Sequence, residues 1–414
     1  MATTRKVLML VENLPSPGDP RVWSEVTALR DAGFLVSIIC PKGTTRCRES
    51  YSYVDGIHIY RYHLSAATNS IPGYVSEYAI ALLATFCLSF KVLFRQGFDV
   101  IHAANPPDLF FLIGLFYRLL GKKFIFDQHD LSPELFQSKF KARKRLLHRL
   151  LLFLEWCSLK TAHMAIVANL TQKELVVERD HCNPEKVFVV GSGPNLKRLK
   201  SVTPEYKLKG GRRYLLAYIG LLEPQNGVEY ALYALHDLVF KRGRRDVSLV
   251  IMGDGGQTSA MYTLAHELQL DEYIKFTGWT SDEDIVRYLT VADIGLTPIP
   301  KNGKNEYSTP TKTMEYMAMG KPGVAFDLAE TRFTAQDAVL YATPNLARDF
   351  ADKIDILLDN EVLRQTMGAV GRKRIEEELS WNHAKRNLLQ VYDMLFPGRS
   401  EPLVIDSLSA TGGN

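Results

Sequence analysis

Lys312 and Glu315 are the residues whose types and placement point most directly to chemistry. They lie in Tyr307–Pro322 (YSTPTKTMEYMAMGKP), a segment that reads as a short helix with a definite start and stop. Thr309 can cap its N-terminus, Pro310 suits the first helical position, and Gly320 and Pro322 end it. An apolar strand, Gly323–Phe326, follows at once. A helix N-terminus offers free N–H groups and the positive end of a dipole, and both favour phosphate. Thr311 and Lys312 fall in that first turn, and Lys312 adds a cation. Glu315, deeper in the helix, can accept hydrogen bonds from a ribose diol. The same stretch also reads as a plain core helix built on Met314, Met317, Ala318 and Met319, with Glu315 in solvent.

Two glycine turns follow apolar strands in the same half of the chain. One runs from Gly220 through Asn226 to Gly227, and the other is Gly253-Asp254-Gly255-Gly256. Glycines at strand ends let backbone approach a ligand closely, although they serve ordinary turns as well. In the other half, His102–Asp108 (HAANPPD) and Asp127–Glu134 (DQHDLSPE) end two further apolar runs. His129 and Asp130 are the candidate reactive pair there, and Asn105 and Arg21 border the same region. A histidine held by local turn bonds is the plainer reading of His129.

The elements that must carry these residues alternate between strand and helix. Val7–Val11, Leu35–Cys40, Val100–His102, Phe124–Phe126, Met164–Val167 and Val187–Val190 read as strands of a parallel, doubly wound sheet. Gly191–Arg213 is polar, basic and rich in Gly and Pro, and reads as a linker. The alternation restarts at Leu215–Ile219. With 414 residues, two domains are expected: 1–195 joined by a returning helix over 381–396, then 213–380, with a loose tail over 397–414. Ligands of such sheets sit at the carboxyl ends of the strands.

Taken together, the GDG turn, FTG, ADIGLTP, MEYMAMGKP followed by VAFD, and the closing LSW resemble glycosyltransferase family 4, and the likeness covers most of the chain. The resemblance implies a GT-B fold: two Rossmann-like α/β domains with a cleft between them. It implies that 213–380 holds a UDP-, GDP- or similar nucleotide-sugar, and that the first domain takes the acceptor. It implies a retaining transfer to a glycan or lipid-linked acceptor, in surface or extracellular polysaccharide biosynthesis. Glu315 matches the second carboxylate of the family's E-x7-E pattern, which contacts ribose. The first falls on Tyr307, with the nearest acid one residue earlier at Glu306. His129 resembles a sugar-contacting histidine. Family members carry Arg after Gly220 and Lys before Gly227 to hold the pyrophosphate, whereas this chain has Leu221 and Asn226 there. Lys312, with Lys301 and Lys304 in the preceding loop, is left to supply that charge. The same architecture serves sugar-nucleotide 2-epimerases, and the absent Arg and Lys leave open a non-catalytic sugar-nucleotide- or polysaccharide-binding subunit.

Composition narrows the remaining classes. A net charge of +4 is too small to imply nucleic acid. Cys40, Cys47, Cys87, Cys157 and Cys182 form no zinc spacing and read as reduced thiols of a cytoplasmic protein. Asp-x-Asp does not follow any strand, so a metal-independent reaction without a cofactor is expected. Residues 78–94 are apolar but interrupted by Lys91 and short of the roughly 20 residues needed to span a bilayer. Residues 139–154 combine basic residues with an apolar stripe. Residues 78–94 read as a buried or a membrane-lying helix, and 139–154 as a helix packed on its own domain with a solvated basic face or as one lying on a membrane; together they favour peripheral contact with the inner face of the cell membrane.

Overall fold

The structure, a computed structural model, describes residues 4–43, 47–64, 70–139 and 145–397. The chain forms two compact units, Met1–Val190 with Ala384–Asn414, and Gly191–His383.

The first unit is built on eight strands: β1 (Lys6–Leu10), β2 (Leu35–Pro41), β3 (Tyr51–Val54), β4 (Ile57–Tyr62), β5 (Val100–Ala104), β6 (Lys123–Gln128), β7 (Met164–Val167) and β8 (Val187–Val189). Their order is β3-β4-β2-β1-β5-β6-β7-β8, parallel except for the β3–β4 hairpin. The strand order reverses between β1 and β5, which places a ligand crevice at their carboxyl ends. The β3–β4 hairpin is an addition to the strands expected from sequence, and Asp55-Gly56 turns the chain there with φ of 49° and 79°, the two-residue turn that matches strand twist.

The second unit carries β9 (Tyr214–Ile219), β10 (Val247–Met252), β11 (Ile274–Gly278), β12 (Ile294–Thr297), β13 (Gly323–Phe326) and β14 (Val339–Ala342), all parallel in the order β11-β10-β9-β12-β13-β14. Alternate residues of β9 enter different cores. Leu216 and Tyr218 pack with Leu249, Ile251 and Phe326 on one face, and Leu215, Ala217 and Ile219 pack with Val250 and Met317 on the other. A sheet buried on both faces reads as an unbroken apolar run, which is why these strands were visible in sequence.

Two expectations are corrected. Gly191–Arg213 is not a free linker, because Leu199 is fully buried in the second core and Tyr206–Lys209 forms a short 3-10 turn. One buried leucine is worth about 1.5–3 kcal/mol, enough to pin a polar segment. The apolar helix is longer than residues 78–94: it runs Ile71–Arg95 and is long and apolar enough to cross a membrane by length and composition. Ala81, Thr85, Ser89 and Val92 bury one stripe of it against the unit, while Val75, Ile80, Leu83 and Phe94 are exposed. Of the basic segment 139–154, residues 140–144 lie outside the described residues, as does the tail beyond 397. Lys139 ends the helix Ser132–Lys139, and residues 145–154 belong to the helix Arg145–Thr161, whose Leu146, Leu150, Phe153 and Trp156 are exposed.

Candidate functional site

The second unit gathers its sequence-predicted residues where strand order reverses, between β9 and β12. Gly220 follows β9, and its N–H donates to the Met252 carbonyl at 3.0 Å. Gly253 follows β10 at φ 151°, where a Cβ would stand 2.0 Å from the Gly220 carbonyl oxygen. Only glycine permits two strand-end turns to lie this close. The contact continues through Leu222 N–H to the Asp254 carbonyl at 3.1 Å. Gly255 also lies against Leu222, and its N–H donates to Asp254 Oδ1 at 2.8 Å. Asp254 therefore closes its own turn, and hydrogen bonds from the Thr258 hydroxyl and Gly255 hold its carboxyl below the usual range. Gly227 lies against the Pro298 carbonyl after β12, and Asn226 turns back to donate to the Leu221 carbonyl at 3.0 Å. Leu221 itself is exposed.

Lys312 points into the floor made by these turns. Its Nζ donates to Tyr218 Oη at 3.1 Å, lies 4.3 Å from that ring's centroid, and would be 3.4 Å from a Cβ at Gly220. Tyr218 Oη in turn donates to the Leu221 carbonyl at 3.0 Å. Lys312 is 7% exposed, and among the described residues no carboxylate pairs with it. Burial lowers its ammonium to about 7, against a small opposing pull from Glu315. A buried cation with only a phenol for company is costly unless an anion joins it.

The helix carrying Lys312 runs Thr311–Ala318, with Pro310 at its N-cap and no side-chain cap hydrogen bond. This corrects the expected start: Thr309 is not the capping residue, and Pro310 stands just outside the first turn because its ψ of 73° is not helical. The Thr311 N–H donates to the Thr309 carbonyl at 3.0 Å. The remaining first-turn N–H groups have no partner within the helix by its geometry. Tyr316 fastens this helix to the sheet, accepting from Ile219 N–H at 3.0 Å and donating to the Leu296 carbonyl at 3.2 Å. Thr313 and Thr297 join their hydroxyls at 2.7 Å.

Glu315 is not solvated. It pairs with Arg198, which also reaches Asp282. Burial pushes the Glu315 carboxyl upward, opposed by that guanidinium. Glu306 lies in a 3-10 turn, Asn305–Tyr307, away from this pair. Its Oε2 accepts from Ala329 N–H at 2.9 Å, the first residue of the helix Ala329–Ala335, and its Oε1 pairs with Lys301 Nζ at 2.6 Å. It thus caps a helix whose own N-cap, Leu328, has no polar side chain. Lys301 is accordingly committed to Glu306, and Lys304 lies just before the same turn.

In the first unit Asp127, at the end of β6, is the hub. Its Oδ1 accepts from Arg21 at 3.0 Å, and its Oδ2 faces His129 Nε2 at 2.7 Å and His102 Nε2 at 3.2 Å. Burial alone would raise its carboxyl, but the charges of His129 and Arg21 and both histidine hydrogen bonds hold it well below the usual range. Arg21 also pairs with the buried Glu25 at 3.1 Å. Burial and the neighbouring Asp127 charge push Glu25 well above the usual carboxylate range. His102 completes the network through Tyr392 Oη at 2.9 Å. Asn105 organises the outer side: its Oδ1 accepts from the N–H groups of His129 at 2.7 Å and Asp130 at 3.1 Å. Its Nδ2 donates to Asp108 Oδ1 and the Asp130 carbonyl, both at 2.7 Å. Glu134, at the end of the same Asp127–Glu134 segment, pairs with Arg179 at 2.6 Å. The ligand atoms of Glu25, His102 and Asp127 lie within 4.8 Å of one another, a spacing a metal would accept. The Arg21 guanidinium already bridges both carboxylates, and it supplies the positive charge there.

Arg198, Tyr218, Tyr316, Glu25 and Tyr392 were not expected at these sites. Arg198 was hidden in the apparent linker, and both second-unit tyrosines in strongly apolar surroundings.

A sequence model described as glycosyl transferases group 1 matches residues 213–360, and one described as glycosyltransferase family 4 matches residues 21–198. A GDP-mannose-dependent monoacylated alpha-(1-6)-phosphatidylinositol monomannoside mannosyltransferase of Corynebacterium glutamicum is 27% identical over 200 residues, 46% of this chain and 51% of that protein. A D-inositol 3-phosphate glycosyltransferase of Corynebacterium aurimucosum is 24% identical over 244 residues, 56% of each chain. The chain thus spans about half the length of these curated relatives. Sucrose-phosphate synthase from Thermosynechococcus elongatus superposes with a TM-score of 0.75 at 18% identity, over 95% of this chain and 99% of that one. That likeness establishes the fold, GT-B.

Proposed function

Because the chain belongs to glycosyltransferase family 4, we propose that it is a retaining enzyme that moves a sugar from a nucleotide-diphosphate sugar to a glycan or lipid-linked acceptor. The observation that carries this reading is Lys312, a buried cation without a carboxylate partner among the described residues, beside the Gly220 and Gly253 turns and in the first turn of a helix. A diphosphate supplies the missing anion. It also explains how a chain with Leu221 and Asn226 in place of the family's Arg and Lys can hold a leaving group. Glu315 takes the ribose diol. The bond between the sugar's anomeric carbon and the diphosphate oxygen breaks, and the acceptor hydroxyl forms the new bond on the same face. The hydroxyl's proton passes to the departing phosphate oxygen. The positive end of the Thr311–Ala318 helix and Lys312 stabilise that charge, so the reaction needs no metal for it.

His129, oriented by Asp127 and Asn105, stands with Asp130 on the acceptor-bearing unit to contact sugar hydroxyls. Arg21 acts at one remove, by fixing Asp127. The exposed apolar residues of the helices Ile71–Arg95 and Arg145–Thr161 suit peripheral contact with a membrane, where a lipid-linked acceptor resides.

Incubation with UDP- and GDP-sugars tests this. Nucleotide release that depends on a lipid-linked acceptor is the expected result. Interconversion of the free sugar-nucleotide would make the chain an epimerase, and tight binding without turnover a sugar-nucleotide-binding subunit. Glu315→Ala should weaken binding of UDP or GDP by about tenfold. Unchanged affinity on calorimetry would remove Glu315 from the ribose.

A further inference from the structure

The first unit contains a cavity of about 350 Å³ that none of the chemistry above uses. Its walls come from the helices Ile71–Arg95, Ser132–Lys139 and Arg145–Thr161, and its floor from Pro107, Asp108 and Leu109 after β5. Tyr78, Leu82, Leu135, Leu151 and Leu154 line it with carbon. Apart from two tyrosine hydroxyls, the polar side chains on its surface are those of Asp108 and Ser132. Asp108 accepts from Asn105, and Asn105 also holds the backbone of His129 and Asp130. The polar end of the cavity is therefore joined by a single side chain to the proposed sugar-contacting residues.

The other end opens outward. Val75 and Leu150 both line the cavity and are also 61% and 47% exposed. Ile80, Leu83, Leu146 and Phe153 extend the same two helices as exposed apolar surface. The cavity thus runs from an apolar outer face to a polar inner end, a gradient that fits an amphiphile lying along it.

We propose that this cavity receives one hydrocarbon chain, alkyl or polyprenyl, of a lipid acceptor, which enters from the apolar face and leaves its hydroxyl-bearing head at Asn105, Asp108 and Asp130. The identity of the ligand as an acceptor rests on the transferase reading; the binding of a hydrocarbon chain does not.

The test is calorimetric titration of the full chain with octyl, nonyl and decyl β-glucoside below their micellar concentrations. One site is expected, with affinity rising about fourfold for each added methylene that becomes buried. Leu151→Trp, which fills the cavity, should lose decyl glucoside binding by about tenfold or more. Ala79→Phe, a milder change at the mouth, should lose part of it. Leu83→Ser, on the exposed face outside the cavity, should bind as the native chain does. Affinity that is flat with chain length, or filling variants that bind normally, would overturn the proposal. So would a dimer in sedimentation that Leu151→Trp separates, since a second copy would then occupy the opening. UDP and GDP titrations separate the two readings. Glucoside binding without nucleotide binding defeats the transferase and leaves the cavity, and the reverse result defeats the cavity alone.

Discussion

The polar clusters of the two units are built on opposite terms. Around Asp127 almost every charge is answered: one carboxylate is shared by Arg21, His102 and His129, and Tyr392 closes the far side of His102. Around Lys312 the cation has a phenol and nothing anionic in contact. Only Arg21 Nε and the two Glu25 oxygens of that cluster, which face each other as an ion pair, are buried without a hydrogen bond. A network of mutually paired charges holds geometry, and taking away one member leaves the rest with uncompensated charge. An unsaturated buried cation holds a place for something that arrives later. The contrast fits the proposed division of roles, with positioning in the first cluster and binding in the second.

Breaking the Asp127 cluster should have the largest effect on the fold. Asp127→Ala leaves Arg21 with Glu25 alone and takes the carboxylate from His102 and His129, and is expected to cost about 3–5 kcal/mol of stability in urea unfolding. A loss below about 1 kcal/mol would mean that the network is not what holds these strand ends. Next in size is Lys312→Met. It should reduce affinity for UDP and GDP by about 30- to 150-fold, leave uridine and guanosine binding alone, and not lower the melting temperature. An equal loss for the nucleosides would move Lys312 away from the phosphates.

The pH dependence should follow from the same residue. With its ammonium lowered to about 7, Lys312 is charged below pH 7 and loses its proton above it. Affinity for UDP should therefore fall as pH rises from 7, by up to about tenfold per unit, and the dependence should flatten in Lys312→Met. Stability moves the other way. Between pH 7 and the ordinary lysine value of 10.5 the unfolded chain holds a proton that the folded chain does not, so this residue's contribution to stability rises with pH. Smallest is Glu306→Gln. It removes the pair with Lys301 and weakens the cap on Ala329–Ala335, so about 1 kcal/mol or less of stability is expected. Nucleotide affinity should not change. Loss of turnover with intact binding and folding would instead give Glu306 a part in the chemistry.

The sequence revealed what depends on near neighbours and on periodicity. Apolar runs buried on both faces announced the strands, and the Gly220 and Gly253 turns showed as glycines at strand ends. Lys312 and Glu315 share one short helix, so their common site was visible from spacing. Contacts between distant parts of the chain were not visible. Arg198 meets Glu315 across 117 residues and His102 meets Tyr392 across 290, and no local pattern records either. Glu306 was read by its offset from Glu315, whereas its observed partner, Ala329, lies 23 residues further on. The cap at Thr309 failed for a local reason. Pro310 leaves the helical region, so the first turn begins one residue later.

The Arg198–Glu315 pair has a thermodynamic consequence for the nucleotide. In the proposed complex a ribose diol would share Glu315 with Arg198, whose guanidinium engages Oε1, because a carboxylate has a second oxygen and further lone pairs to offer. Arg198 also holds Asp282, so the carboxylate is already oriented before a nucleotide arrives. Less ordering entropy would then be lost on binding.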